Sequence, residues 1–276
     1  MHIRRNHITT GKPVVRVALA LALAAVLAGC STDKMKTGSI GSIGSSSKGR
    51  IEAPTGYDLR STSAKFGKAY AANPNDKATA IQFASLLQME GNAEQSLAVM
   101  RKLAISHPKD RQVLAAYGKA LAANGQFGPA LDAVRRAQTP EYPDWRLISA
   151  EGAILDQTGQ ENEARQLYHK ALDLKPNEPS VLSNLGMSYV LSGDLRTAET
   201  YLTSASRQQG ADSRVRQNLA LVVGLQGRFD EAERIASQEL SPEQARANVT
   251  YLRSMLAQQN AWSQIKAQDG KKQATN

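Results

Sequence analysis

Cysteine and histidine are scarce in this sequence. Cys30 is the only cysteine among 276 residues, so no disulfide can form within the chain. Of the four histidines, His2 and His7 stand near the N-terminus, while His107 and His169 are far apart and have no cysteine or pair of carboxylates at ligand spacing. The sequence therefore predicts neither a metal site nor a bound cofactor.

Sequence motifs of catalysis are also missing. The nearest match to a nucleophile elbow is Gly186-Met187-Ser188-Tyr189, which lacks the closing glycine and falls within a helical pattern. The glycines between positions 38 and 44 lack the preceding strand, the following helix and the lysine-serine pair of a phosphate-binding loop. We expect no catalytic residues, no enzymatic activity and no small-molecule substrate.

A strong excess of one charge is absent as well. The chain has 34 lysines and arginines against 25 acidic residues, and 30 against 25 remain once the four basic residues before position 17 are set aside. Such a balance gives no pronounced positive field for the phosphates of a nucleic acid. We expect no nucleic-acid partner.

Apolar runs of membrane-spanning length are missing too. Residues 17–28 are twelve uncharged apolar residues, and they follow a basic segment that contains Arg4, Arg5, Lys12 and Arg16. As a helix, this run spans about 18 Å, well below the roughly 30 Å of a bilayer core. We therefore predict that residues 1–29 are an export signal and not a membrane anchor.

The last three residues of the signal and the residue after it, Leu27-Ala28-Gly29-Cys30, resemble the bacterial lipobox. The resemblance implies that Cys30 receives a diacylglyceryl group on its sulfur, becomes the first mature residue and is acylated on its new amino group. More than one acyl chain anchors a protein stably. Ser31 follows the cysteine where an aspartate would signal retention, which by the sorting rule of enteric bacteria implies the outer membrane, with the protein facing the periplasm.

A flexible linker is predicted between the anchor and the first helix, over residues 30–58. Its centre, residues 38–47, consists of glycine, serine and two isoleucines, and is too polar and too rich in glycine to form a core. About 27 residues of such chain reach roughly 30 Å on average. The folded part of the protein would then stay close to the membrane while turning freely.

Most of the remaining chain is one pattern repeated five times. The glycines Gly91, Gly125, Gly159, Gly193 and Gly227 are 34 residues apart. A small residue stands five places after each glycine and another stands seven places before it, as in Gly152 and Ala164 around Gly159. Apolar residues between these positions follow helical spacing. The pattern predicts a helix, a glycine turn and a second helix that approaches the first closely.

The period and pattern resemble the tetratricopeptide repeat, most closely over residues 145–178. The resemblance implies an all-α fold, a right-handed superhelical solenoid of about five repeats. We place the repeats at residues 77–241, after an N-terminal half-repeat at residues 59–76. Ser241-Pro242-Glu243-Gln244 indicates the start of a capping helix over residues 242–267. Residues 268–276 are expected to be a disordered tail.

We predict a peptide-binding groove on the first helix of each pair, the place where tetratricopeptide proteins bind their partners. The candidate residues are Asn184, Asn218, Lys119, Arg146, Met187, Arg214, Gln217 and Leu221. Asn184 and Asn218 resemble the asparagine ladder with which some repeats hold the main chain of an extended peptide, since an amide both donates and accepts hydrogen bonds. Asparagine before leucine and glycine also occurs in repeats without a ladder, and Met187 and Leu221 either form an apolar pocket or pack internally.

Beyond the repeat itself, residues 144–156, 184–189 and 217–228 are similar to the tetratricopeptide lipoproteins of the tight-adherence (Tad, Flp-type) pilus system, the TadD type. Residues 239–242 and 248–256 fit the same group. The resemblance implies an outer-membrane lipoprotein that helps the pilus secretin, or other envelope assembly components, to assemble by binding them. Two alternatives remain: an adaptor for outer-membrane β-barrel insertion, and an adaptor that regulates a cell-wall synthase or hydrolase.

The lipid anchor is tested by the substitution Cys30→Ser. Without the thiol no acyl group can be attached, so the mature protein should leave the membrane fraction and stay in the supernatant after ultracentrifugation. Cys30→Ser protein that still sediments with the envelope would contradict the predicted anchor.

Overall fold

The computed structural model of the chain describes residues 56–141 and 143–273. The predicted export signal, the acylation site at Cys30 and residues 30–55 of the predicted linker lie outside this described part. The described residues form twelve α-helices, which confirms the all-α fold class. None of these helices combines the length and the apolar character needed to cross a bilayer.

The helices follow one another as a single helix, five pairs and a final helix. The first is α1 (Gly56–Ala72). The five pairs are α2 (Lys77–Met89) with α3 (Ala93–Ser106), α4 (Arg111–Ala123) with α5 (Phe127–Ala137), α6 (Trp145–Gln157) with α7 (Glu161–Leu174), α8 (Pro179–Leu191) with α9 (Leu195–Ser206), and α10 (Ser213–Leu225) with α11 (Phe229–Ala236). The last helix is α12 (Pro242–Gln273).

These helices belong to two compact units. In the first unit, which ends at Gln126, α2 packs against α1, α3 and α4, and α3 also packs against α4. In the second unit, which starts at Phe127, each helix from α5 to α12 packs against the next. There α6 also contacts α8, α8 contacts α10, and α10 contacts α12, so that these four helices form a row.

The repeated glycine lies at the turn inside each pair, as the pattern predicts. All five glycines of this column have φ between +71° and +83°, the left-handed region. At Gly159 the turn closes α6 with hydrogen bonds from the Gly159 N–H to the Asp156 carbonyl and from the Gln160 N–H to the Leu155 carbonyl. A side chain at such a residue costs about 1–2 kcal/mol, which explains why glycine recurs there.

The small residues mark the places where paired helices touch. A Cβ atom added to Gly186 would lie 2.8 Å from Cγ of Leu202 and 3.1 Å from the carbonyl oxygen of Ala198. At Gly152 the corresponding distances are 2.9 Å to Cε1 of Tyr168 and 3.1 Å to the carbonyl oxygen of Ala164. These distances are too short for a normal contact, so the pairs α6/α7 and α8/α9 could not keep their separation with a larger residue at Gly152 or Gly186.

A column of aspartates begins the first helices. The carboxylates of Asp76, Asp110, Asp144 and Asp212 accept hydrogen bonds from backbone N–H groups in the first turns of α2, α4, α6 and α10. These residues share the 34-residue register, apart from a glutamate at position 178, after which Pro179 begins α8. An N-cap aspartate typically stabilises a helix by about 1 kcal/mol.

Two predicted boundaries differ from the structure. Helix α1 begins at Gly56, inside the predicted linker, and ends at Ala72, before Pro74. Helix α12 runs to Gln273, six residues beyond the predicted end at 267, so residues 268–273 are helical and not a disordered tail. Adding residues to an existing helix gains one hydrogen bond each, and the glutamines and lysines among residues 268–273 favour this extension in spite of Gly270.

The close approach at Gly186 is tested by Gly186→Leu. The leucine side chain would overlap Leu202 and the backbone at Ala198. The free energy of unfolding of the variant should therefore be about 1–3 kcal/mol lower than that of the wild type, and its melting temperature should also be lower.

The matched control is Gly128→Leu on α5. A Cβ atom at Gly128 meets no atom of the described residues within 4 Å, so the same substitution there should be neutral or slightly stabilising through helix propensity. Equal melting temperatures for Gly186→Leu and the wild type would contradict the packing described here.

Candidate functional site

Seven of the eight predicted site residues lie on the row formed by α6, α8 and α10. On α10, residues 214, 217, 218 and 221 follow helical spacing, and residues 184 and 187 do so on α8, so each set shares one side of its helix. We call this surface the first-helix face. All seven side chains are half-buried there. Lys119, also half-buried, lies on α4 in the other unit.

The two asparagines join neighbouring first helices. Nδ2 of Asn184 donates a 3.1 Å hydrogen bond to Oγ of Ser149 on α6. Nδ2 of Asn218 makes the same bond, also 3.1 Å, to Oγ of Ser183 on α8. Both serines are buried, and sequence reasoning did not identify them although they stand one period apart.

These bonds give the asparagines a structural role and leave part of each amide available. An asparagine side chain has two N–H donors and one carbonyl oxygen. Within the described residues only one N–H of each amide is used, in the bond to serine. The other N–H and the oxygen remain for a bound main chain, the role that the asparagine ladder predicts.

The arginines of the face are paired with neighbouring acids. Arg214 forms a 2.9 Å ion pair with Asp212, the residue that caps its own helix. Arg146 lies 3.9 Å from Asp144 and stacks over the ring of Trp145 at 4.5 Å from its centroid. The positive charges of Arg146 and Arg214 are therefore partly neutralised by the N-cap aspartates.

The other predicted residues of the face differ in their contacts. Gln217 donates a 2.9 Å hydrogen bond to Oγ of Ser213, one turn earlier on α10. Met187 and Leu221 occupy equivalent positions on α8 and α10, and both are half-buried, as are Leu191 and Leu225 one turn further along. These four side chains give the face an apolar strip.

Asp156 is a half-buried carboxylate at the end of α6, held by two hydroxyl groups. The Tyr168 hydroxyl on α7 donates to Oδ2 at 2.8 Å, and the Ser188 hydroxyl on α8 donates to Oδ1 at 2.8 Å. Tyr168 and Ser188 are themselves almost completely buried. Three helices thus meet at one polar cluster, which we call the Asp156 cluster.

Burial raises the pKa of Asp156 to about 6 from an ordinary value of 3.8. The hydrogen bonds from Ser188 and Tyr168 and the positive charge of Arg165 act in the opposite direction, while the charge of Glu161 raises the pKa. The pKa of the Tyr168 hydroxyl is raised well above its usual range, first by burial and then by the Asp156 charge.

The next repeat shows that this cluster is not required for packing. The positions equivalent to Asp156, Tyr168 and Ser188 are occupied by Val190, Leu202 and Val222, and all three are fully buried. Apolar residues therefore fill the same space between the helices one repeat later. The Asp156 cluster is a local departure that brings an ionisable group into the row of first helices.

A cavity elsewhere in the second unit does not belong to this face. It has a volume of about 380 Å³, opens at the turn between α10 and α11, and is lined by charged residues of both signs and by Phe229. Arg228, in its wall, already bonds to Glu199 and Glu231. In the part of the chain that the structure describes, no three histidine, cysteine or acidic side chains are grouped so as to hold a metal ion.

The raised pKa of Asp156 predicts a pH-dependent stability. The folded state holds the proton of the Asp156 carboxyl more tightly than the unfolded state, so protonation of Asp156 stabilises the folded state. This stabilisation is complete below pH 3.8 and is lost as the pH rises through about 6. The free energy of unfolding of the wild type, relative to that of Asp156→Asn, should therefore increase by about 1–3 kcal/mol between pH 7.5 and 4.5. Urea unfolding at both pH values measures it, and a difference that does not change with pH would contradict the burial of this carboxylate.

The comparisons with known proteins agree with the repeat structure. A sequence model of the tetratricopeptide repeat matches residues 157–222, from the end of α6 into α10. No curated protein matches the sequence.

Solved structures with a similar fold cover most of the chain. They include a tetratricopeptide repeat protein from Parabacteroides merdae, 11% identical over 90% of this chain and 86% of that one, with a TM-score of 0.61. PilW, described as a widely conserved type IV pilus biogenesis factor, is 17% identical over 89% and 100%, with a TM-score of 0.56. A thermophilic protein of Thermus thermophilus is 20% identical over 65% and 98%, with a TM-score of 0.55.

At these identities the similarity concerns the fold alone. The fold nevertheless agrees with the 34-residue register, the left-handed glycines and the close contacts of the paired helices. Residues 157–222 thus match the tetratricopeptide repeat, and the described part of the chain has the fold of solved tetratricopeptide-repeat proteins.

Proposed function

We propose that this protein is a lipid-anchored scaffold that binds other proteins through the first-helix face and assists the assembly of a tight-adherence pilus apparatus. Tetratricopeptide repeats are typically modules of protein interaction. The observation that carries the proposal is the row of α6, α8 and α10, which presents half-buried apolar side chains beside two amides with free hydrogen-bonding groups. Such a surface fits a polypeptide, because it offers both apolar contact and main-chain hydrogen bonds.

The anchor is the second part of the proposal. Acylation of Cys30 would attach the protein to the outer membrane on its periplasmic side, and the linker would hold the repeats within reach of membrane-embedded partners. The support comes from the sequence, in the apolar run of residues 17–28 and the following Leu27-Ala28-Gly29-Cys30.

The pilus is the third part. It rests on the resemblance of residues 144–156, 184–189 and 217–228 to the tight-adherence lipoproteins. The similar fold of PilW, a pilus biogenesis factor of the type IV system, is consistent with such a role. The proposed partner is the pilus secretin, which must be assembled in the same membrane.

Photo-crosslinking in intact cells tests the partner. A photoreactive amino acid at Leu221, on the first-helix face, should give a crosslink to the secretin. The control position is Lys170, which is exposed on α7 in the same unit. The photoreactive amino acid at this position should give no crosslink to the secretin. Crosslinks to a β-barrel assembly component or a cell-wall enzyme would contradict the pilus role and support one of the two alternative assemblies. Equal crosslinking from both positions would show that the first-helix face is not the binding surface.

The role of the asparagines is tested by a matched pair of double variants. Asn184→Ala with Asn218→Ala removes both the bonds to serine and the free amide groups, whereas Ser149→Ala with Ser183→Ala removes only the bonds. Each lost bond should cost about 0.5–1.5 kcal/mol of stability in either variant.

Only the asparagine variant should lose the partner in co-purification from solubilised envelopes. The serine variant keeps both amides and should retain it. If the two variants retain the partner equally well, the amides do not hold a bound main chain.

A further inference from the structure

The acids on the first helices of the second unit differ in their partners. Helices α6, α8 and α10 carry only two acidic residues, Glu151 and Asp156, both on α6. Glu151 accepts from Arg135 at 2.8 Å and from Gln138 at 2.7 Å. Asp156 has no lysine or arginine nitrogen of the described residues within ion-pair distance, and its only recorded partners are the two hydroxyl groups of its cluster.

The geometry of the Asp156 cluster leaves the carboxylate able to accept further hydrogen bonds. Each carboxylate oxygen has two lone pairs, and each receives one hydrogen bond here. The two buried donors fix the orientation of the group before any ligand arrives. A half-buried carboxylate without an ion-pair partner has lost part of its hydration, and an ammonium or guanidinium group would replace that hydration with charge-assisted hydrogen bonds.

The position of Asp156 connects it with the first-helix face. It stands one turn after Ala153, and Ala153 is equivalent to Met187 and Leu221 in the following repeats. Its hydrogen bond to Ser188, the residue after Met187, places the carboxylate between α6 and α8. Arg146 and Arg214 are paired with aspartates, and Arg165 on α7, whose charge acts on Asp156, donates its hydrogen bonds to Ser188, Ser192 and Asn162. Asp156 is therefore an acid on this face without an ion-pair partner among the described residues.

We propose that Asp156 binds a lysine or arginine side chain of an extended segment from another protein, lying along α6, α8 and α10. This inference rests on the proposed function, because it specifies what the first-helix face recognises. The apolar strip on α8 and α10 then receives an apolar residue of the same segment.

The helix spacing predicts the distance between these two residues. Packed helices lie about 8–10 Å apart, and an extended chain advances about 3.3 Å per residue. A basic side chain at Asp156 and an apolar side chain one helix further along the row are therefore about three residues apart in the bound segment.

Selection from a phage-displayed library of random 12-residue peptides tests the proposal. The targets are the full chain, Asp156→Asn and the control Glu151→Gln, which removes the other acid of α6. Peptides enriched on the wild type and on Glu151→Gln should carry lysine or arginine about three residues from an apolar residue. Asp156→Asn should lose this preference and bind the selected peptides about tenfold more weakly.

The pH dependence of binding separates charge recognition from a change of shape. The groups that act on the Asp156 carboxylate are Tyr168, Arg165 and Glu161 on α7 and the Ser188 hydroxyl on α8. Affinity of the wild type for a selected peptide should fall as Asp156 is protonated below about pH 6, whereas that of Asp156→Asn should not. Circular dichroism at each pH checks that both proteins are folded.

Three results would overturn the inference: the same basic preference on Asp156→Asn, enriched peptides without a basic residue, or no enrichment at all. The second result would leave the face as a peptide-binding surface with another specificity. The proposed function is judged separately by crosslinking in cells, which also detects a folded partner.

Discussion

The close approach of two helices at a residue without a large side chain is the constraint on which the rest of this structure depends. At Gly152 and Gly186 the facing helix comes so near that even a methyl group would meet Tyr168 or Leu202. Alanine at 164, 198 and 232 provides the same room on the second helices, where all three are fully buried. This contact occurs in the successive pairs α6/α7 and α8/α9, and the first helices α6, α8, α10 and α12 of this unit form a row. Within the row, α6, α8 and α10 carry the first-helix face, the surface that we propose a partner uses.

Polar residues within the row do two things at once. The bonds from Asn184 to Ser149 and from Asn218 to Ser183 connect successive first helices, and the same amides keep groups for a ligand. Asp156 likewise joins three helices through Tyr168 and Ser188. Apolar residues occupy the same positions one repeat later, so the Asp156 cluster adds no necessary packing and introduces a carboxylate with a raised pKa. A partly buried charge of this kind is costly unless a partner compensates it, which is why we assign it to recognition.

The repeated pairs and their turns could be predicted from the sequence because each depends on residues close together in the chain. The glycine of each turn and the small residues around it determine the hairpin, and Gly159 has the expected left-handed conformation. The hydrogen bonds between repeats were not predictable in this way, since Asn184 and Ser149 belong to different hairpins and meet only after these have packed. The sequence did contain a signal for the Asp156 cluster. Asp156, Tyr168 and Ser188 are polar at positions where the next repeat has apolar residues, but only the structure shows that these three side chains contact one another. The pairing of Arg146 and Arg214 with capping aspartates was also outside the reach of residue spacing, because it depends on side-chain orientation.

We propose that the first-helix face is covered by another protein in the envelope. Met187 is a natural probe of that face, because it is half-buried and its sulfur is oxidised to the sulfoxide only when a reagent can reach it. Its oxidation rate by hydrogen peroxide should be measured by mass spectrometry in intact cells and in the purified protein, with the half-buried Met255 on α12 as the internal reference. We expect Met187 to be oxidised more slowly in cells than in the purified protein, relative to Met255. An equal ratio in both preparations would contradict the claim, since the face would then be as open in the envelope as it is in solution.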